Sequence, residues 1–125
     1  MSTRSTIAVK QGKKWKIIYC HSDGYNSYMV PLLLNYYNNQ KAANNIVALG
    51  NLSYLDKSID CPKGHSFDNR MNGYTVAYGR DRGEEFQEAH EYNTYKEALK
   101  EEAQAYNYRF NHGCWYHANN KKLKL

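Results

Sequence analysis

Five consecutive residues, Gly79-Arg80-Asp81-Arg82-Gly83, carry the clearest chemical signal in this chain. Two guanidiniums between flexible glycines can offer planar donors to phosphate oxygens, which arginine engages better than lysine. The competing reading is a solvated turn in which Asp81 and Glu84 neutralise both arginines, since surface ion pairs are common and weak. Arg4 and Arg109 can add further cationic donors from neighbouring strands. Arg109 is out of phase with Tyr106, Tyr108 and Phe110, so it faces either solvent or a pocket. His21 and Asp23 form a second group. A neutral imidazole can bond a ribose hydroxyl or a base edge, or it can simply fix the Asp23-Gly24 turn. His65 and Phe67 form a third, with Phe67 able to stack on a base for about 1–3 kcal/mol or to plug the core. Tyr25, Tyr28 and Tyr78 carry the same pair of readings.

Other chemistries find less support. His112, Cys114 and His117, or Cys61 with His65, do not make a four-ligand zinc set, because strand alternation parts Cys114 from His117. No metal or cofactor is expected. The chain has no GxSxG, HExxH or P-loop pattern. Phosphodiester cleavage by a His21-Asp23 or His21-His65 acid–base pair is the remaining enzymatic alternative, and a non-enzymatic binding role is the expectation.

These residues need elements to position them. The 125 residues suit one domain with its own core, and 42% hydrophobic with 23% charged residues fits neither a disordered chain nor a membrane protein. Ser5–Gln11 and Lys14–His21 read as a hairpin about Gly12, with Trp15, Ile17, Tyr19 and His21 on one face. Helical spacing places helices over 27–38 and 40–49, the first containing Pro31 near its start. Residues 51–73 read as a long ordered loop, a kind that is more often functional than idle. A strand over 74–78 follows, with Tyr74, Val76 and Tyr78 on one face, then a turn over 79–83. Thr94 and Glu97 make a capping box for a helix to about Ala103. Strands at 106–110 and 114–117 flank a His112-Gly113 turn. The expected fold is therefore a single α+β domain over 1–118, with an antiparallel sheet of about five strands, about three helices on one face, and a basic tail over 119–125.

Composition narrows the partner. Seventeen Lys and Arg against twelve Asp and Glu leave a net charge of +5, which attracts anions. Thirteen tyrosines suit interfaces and base stacking, and serve equally as strand formers. Three cysteines without a CxxC pair predict free thiols. The start of the chain lacks a signal-peptide core and no apolar run can span a bilayer, so a cytoplasmic location without membrane contact is expected. Nucleic acid is a disfavoured partner, since no clustered basic stripe or helix-turn-helix pattern occurs.

Several stretches resemble a group of small bacteriophage-encoded proteins. They are Ser2-Thr3-Arg4-Ser5, Tyr19-Cys20-His21-Ser22-Asp23-Gly24-Tyr25, Leu49-Gly50-Asn51-Leu52-Ser53, His65-Ser66-Phe67-Asp68-Asn69 and Val76-Ala77-Tyr78-Gly79-Arg80-Asp81-Arg82-Gly83-Glu84. Ser22 stands where that group often has Trp, and Asn26 where it often has Pro, so the ligand accepted here is expected to differ. The resemblance implies a phage protein of the anti-defence kind. By analogy of class it is similar to the sponges of anti-Thoeris and anti-CBASS type, which sequester nucleotide immune signals such as cyclic ADP-ribose isomers and cyclic oligonucleotides. A homo-oligomer is expected, as pockets of this kind often lie between subunits. The alternative partner is a host defence protein, bound directly as an anti-CRISPR or anti-restriction factor would bind it.

Overall fold

A computed structural model describes residues 2–125. Among them are seven strands, β1 (Ser5–Gln11), β2 (Lys14–Cys20), β3 (Leu52–Tyr54), β4 (Val76–Ala77), β5 (His90–Tyr92), β6 (Tyr106–Asn111) and β7 (Cys114–His117). Four helices accompany them: α1 (Asn26–Tyr36), α2 (Gln40–Ala48), α3 (Tyr78–Asp81) and α4 (Tyr95–Glu102). The domain is α+β, but its sheet is mixed rather than antiparallel. Its order is β4-β3-β2-β1-β6-β7, with β5 on the same edge of β2 as β3. β1 runs parallel to β6 and β2 parallel to β3, while the other pairs are antiparallel.

Local chemistry accounts for most boundaries. Gly12 supplies the positive φ (64°) that a two-residue hairpin turn needs between β1 and β2. Asn39 caps α2 by accepting from the Ala42 N–H at 2.8 Å, and Thr94 caps α4 by accepting from the Glu97 N–H at 3.1 Å. Pro31 lies in the second turn of α1 rather than at its start; α1 is buried along Met29, Val30, Leu32 and Leu33, and that burial compensates for the lost helix bond.

Helices cover both faces of the sheet, not one. On the front, α1 and α2 pack Met29, Leu33 and Ile46 over Ile7, Val9, Ile18, Leu52, Tyr108, Phe110 and Trp115. Burying each such side chain contributes on the order of 1.5–3 kcal/mol. Trp115 satisfies its indole N–H on the Tyr37 carbonyl at 2.9 Å. On the back, α4 sets Ala98 and Tyr95 against Ala8, Trp15 and Ile17. Both alternating faces of β2 are therefore buried, which a one-sided pattern did not anticipate.

The segment 119–125 is not a free tail. It doubles back on β7, where the His117 N–H donates to the Lys121 carbonyl at 2.8 Å and the Leu123 N–H to the Trp115 carbonyl at 3.0 Å. Leu123 enters the front core at 2% exposure. Among the described residues, no helix is long and apolar enough to cross a membrane.

Candidate functional site

The arginine turn is divided between two structural tasks. Asp81 follows Arg80 within one helical turn, and its carboxylate lies in the Arg80 fork. Arg80 Nε donates to Asp81 Oδ1 at 2.8 Å and Nη2 to Oδ2 at 2.9 Å. The remaining donors reach the Thr75 carbonyl at 3.1 Å and the Ile59 carbonyl. Arg80 thus pins the long 55–75 loop to α3 and is not a free phosphate donor. The Asp81 side chain is fully enclosed and also accepts from the Ala77 N–H at 2.8 Å. Burial pushes its carboxyl up, but Arg80 and the Ala77 N–H outweigh that and hold it below the usual carboxylate range.

His65 is also structural. Its Nε2–H donates to the Thr75 carbonyl at 3.0 Å, and Nδ1 accepts from the Met71 N–H at 3.0 Å. Both ring nitrogens are committed to backbone, so the His21-His65 acid–base pair does not form.

Phe67, Tyr78 and Arg82 do come together. The Arg82 guanidinium lies 4.6 Å from the Phe67 centroid and 5.7 Å from that of Tyr78, and Arg70 stacks on Tyr54 at 4.4 Å. Phe67, Arg70 and Tyr54 line a groove of about 220 Å³. The Arg82–Glu84 contact at 3.3 Å is exposed on both sides and adds little. This groove is below the size usual for small-molecule sites, about 300–1,000 Å³.

A further cleft lies at the end of the sheet. The β1–β2 register pairs Ser5 with Cys20, so the next pair outward sets Arg4 opposite His21, on the back face. With Ser2, Thr3, Gln104 and Ala105 they line a cleft of about 550 Å³. His21 Nδ1 is 2.6 Å from Tyr19 Oη and Nε2 is 3.0 Å from Ser2 Oγ. Those two bonds replace the expected link to Asp23, which is exposed at a left-handed φ of 58°. Tyr25 is 38% exposed beside Tyr28, with ring centroids 6.1 Å apart, outside the cleft. Arg4 is exposed, and among the described residues no carboxylate lies within salt-bridge distance of it.

Arg109 is neither solvent-exposed nor a cleft residue. It is 9% exposed, packed on Tyr116 at 4.5 Å and Tyr95 at 5.5 Å, and Nη2 donates to Asn120 Oδ1 at 2.6 Å. Its role is to hold the turn after β7.

Of the candidate positions, Arg4 and His21 therefore share this cleft, and Phe67, Tyr78 and Arg82 share a separate stack. Gln104 was missed because it lies between α4 and β6, far along the chain from Arg4, with no motif to mark it. Ser2 and Thr3 had a signal in the motif that contains Arg4. Among the described residues, no three His, Cys, Asp or Glu side chains cluster closely enough to hold a metal ion. Compared with protein-family models, curated proteins and solved structures, the chain matches none.

Proposed function

We propose that this is a phage anti-defence protein that binds a phosphate-bearing nucleotide signal in the Arg4–His21 cleft and sequesters it. The observation that carries the reading is the cleft itself. Its volume is about 550 Å³, it holds an exposed arginine without an ion-pair partner, and no carboxylate lines it. A guanidinium in that setting donates to phosphate without first breaking a salt bridge. His21, held by Tyr19 and Ser2, offers the flat face of a fixed ring on which a base can stack. The net charge of +5 assists encounter with an anion.

Holding is favoured over cleaving. A general base of the His–Asp kind needs the carboxylate to orient the imidazole, and here Tyr19 and Ser2 occupy both ring nitrogens. Sequestration then works by mass action, and nanomolar affinity corresponds to about −12 kcal/mol. The cleft is open on one side, and a second copy of the chain closing it is part of the proposal.

The test is calorimetric titration with cyclic ADP-ribose isomers, ADP-ribose and cyclic dinucleotides, followed by heat denaturation and chromatography of the released ligand. One of these binds and returns unchanged, and Arg4→Ala weakens it at least tenfold, the loss of one charge-assisted contact of about 1.5–3 kcal/mol. Binding by none of them, or release of a converted product, overturns the reading. A direct protein partner is the second reading, favoured by Phe86, which is 58% exposed; thermal shift with no nucleotide together with co-purification of a host protein supports it instead.

A further inference from the structure

We infer that the ligand is two-lobed, a dinucleotide-like molecule with phosphates toward both ends, and that the protein grips it on both sides of Ala105; this rests on the nucleotide reading above. Ala105 lines the Arg4–His21 cleft and also a second concavity of about 380 Å³, formed with Asn26, Tyr106, Asn107, His117, Asn119 and Lys121. Ala105 is the residue common to both linings, and its side chain is a single methyl.

The linings of both lobes contain cationic and neutral polar groups and no carboxylate, although the chain has twelve Asp and Glu. Arg4 and His21 serve one end, Lys121 and His117 the other. The span follows from the sheet. His21 follows β2 and His117 ends β7, and β1 and β6 lie between. Three strand spacings put roughly 14 Å between them in the plane of the sheet. His117, in phase with Trp115, lies on the front face while His21 lies on the back, so a ligand that reaches both bends round the sheet end and is longer than a single nucleoside phosphate.

The second lobe is built rather than incidental. The Ala118 N–H donates to the Asn107 carbonyl at 3.2 Å, and the Asn120 N–H to the His117 carbonyl at 3.0 Å. Asn120 takes a left-handed φ of 71° and is held there by the buried Arg109. That explains a buried guanidinium with no carboxylate partner: Arg109 is a positioning residue that fixes the turn presenting Lys121. Tyr106 and His117 supply flat faces for a second base.

The experiment uses the full chain and two probes, adenosine monophosphate and the linear diadenylate phosphorylated at both its 5′ and 3′ ends, titrated by calorimetry. The diadenylate binds at least tenfold more tightly. Lys121→Ala, a change at an exposed position, abolishes that advantage and leaves monophosphate binding unchanged, whereas Arg4→Ala weakens both probes. Equal affinity for the two probes, or an advantage that survives in Lys121→Ala, overturns the two-lobed ligand and leaves the nucleotide reading standing. Wild-type protein that binds neither probe also overturns the two-lobed ligand, and the nucleotide reading falls with it only if cyclic ADP-ribose isomers, ADP-ribose and cyclic dinucleotides fail to bind too.

Discussion

Replacing Asp81 by alanine should destabilise the domain more than any other exchange in the 79–83 turn. The carboxylate is enclosed and accepts from Arg80 twice, from the Ala77 N–H, and from the Cys61 thiol at 3.4 Å. Its removal leaves a half-buried guanidinium without a counter-charge and an inner N–H without an acceptor. Breaking a buried pair costs about 3–5 kcal/mol. The Arg80 side chain is 28% exposed and recovers part of its hydration, which places the loss near the lower end, about 3 kcal/mol. At about 2.1 cal/mol/K of unfolding entropy per residue, 125 residues give about 0.26 kcal/mol/K, so Tm falls by about 10 °C.

The pH dependence gives a second check on the same exchange. The folded carboxyl titrates below its ordinary value, so its contribution is complete above the unfolded value of about 3.9. It is lost as pH falls through the lower, folded value. Urea unfolding of wild type and Asp81→Ala should show the full gap at pH 7 and a gap that closes as pH falls below the unfolded value of about 3.9. A gap under about 1 kcal/mol at pH 7, in the range of an exposed pair, would refute the reasoning. So would the same gap at both ends of the pH range.

Two further exchanges probe the parts that present the clefts. Leu123→Ala removes a core anchor at 2% exposure and should cost about 2–4 kcal/mol, read by urea denaturation, with faster amide exchange at His117 and Lys121 than in the wild type. Gly50→Ala meets two obstacles, a φ of 74° and a Cβ that would stand 2.1 Å from the Gln87 carbonyl oxygen. The backbone must shift, so a loss of at least about 2 kcal/mol is expected; a neutral result in thermal denaturation would mean that the 50–51 and 87 backbones do not meet as described.

How much of this was legible beforehand depends on the range of each interaction. The β1–β2 hairpin, the Thr94 cap and the His112-Gly113 turn were readable because neighbouring residues decide them. The two short strands β3 and β5 were not, since three residues carry no usable period and form strands only by pairing, β3 with β2 and β4 and β5 with β2. The mixed sheet was equally hidden. Strand direction between β1 and β6 is set by residues about a hundred positions apart, and local alternation says nothing about it.

The amino-acid sequence by itself determined a basic, tyrosine-rich α+β domain and pointed to arginine and histidine as the groups to follow. Only the tertiary structure decided which of them are free. Arg80 and His65 are consumed by backbone carbonyls, an N–H and a carboxylate that folding brings to them, and Arg109 is buried against two rings. Arg4 lies open beside His21 because the strand register sets them across the same sheet end, and among the described residues no carboxylate lies within salt-bridge distance of Arg4. A charged side chain binds a ligand only if its own fold leaves it unpaired, and pairing is a long-range property that residue type cannot reveal.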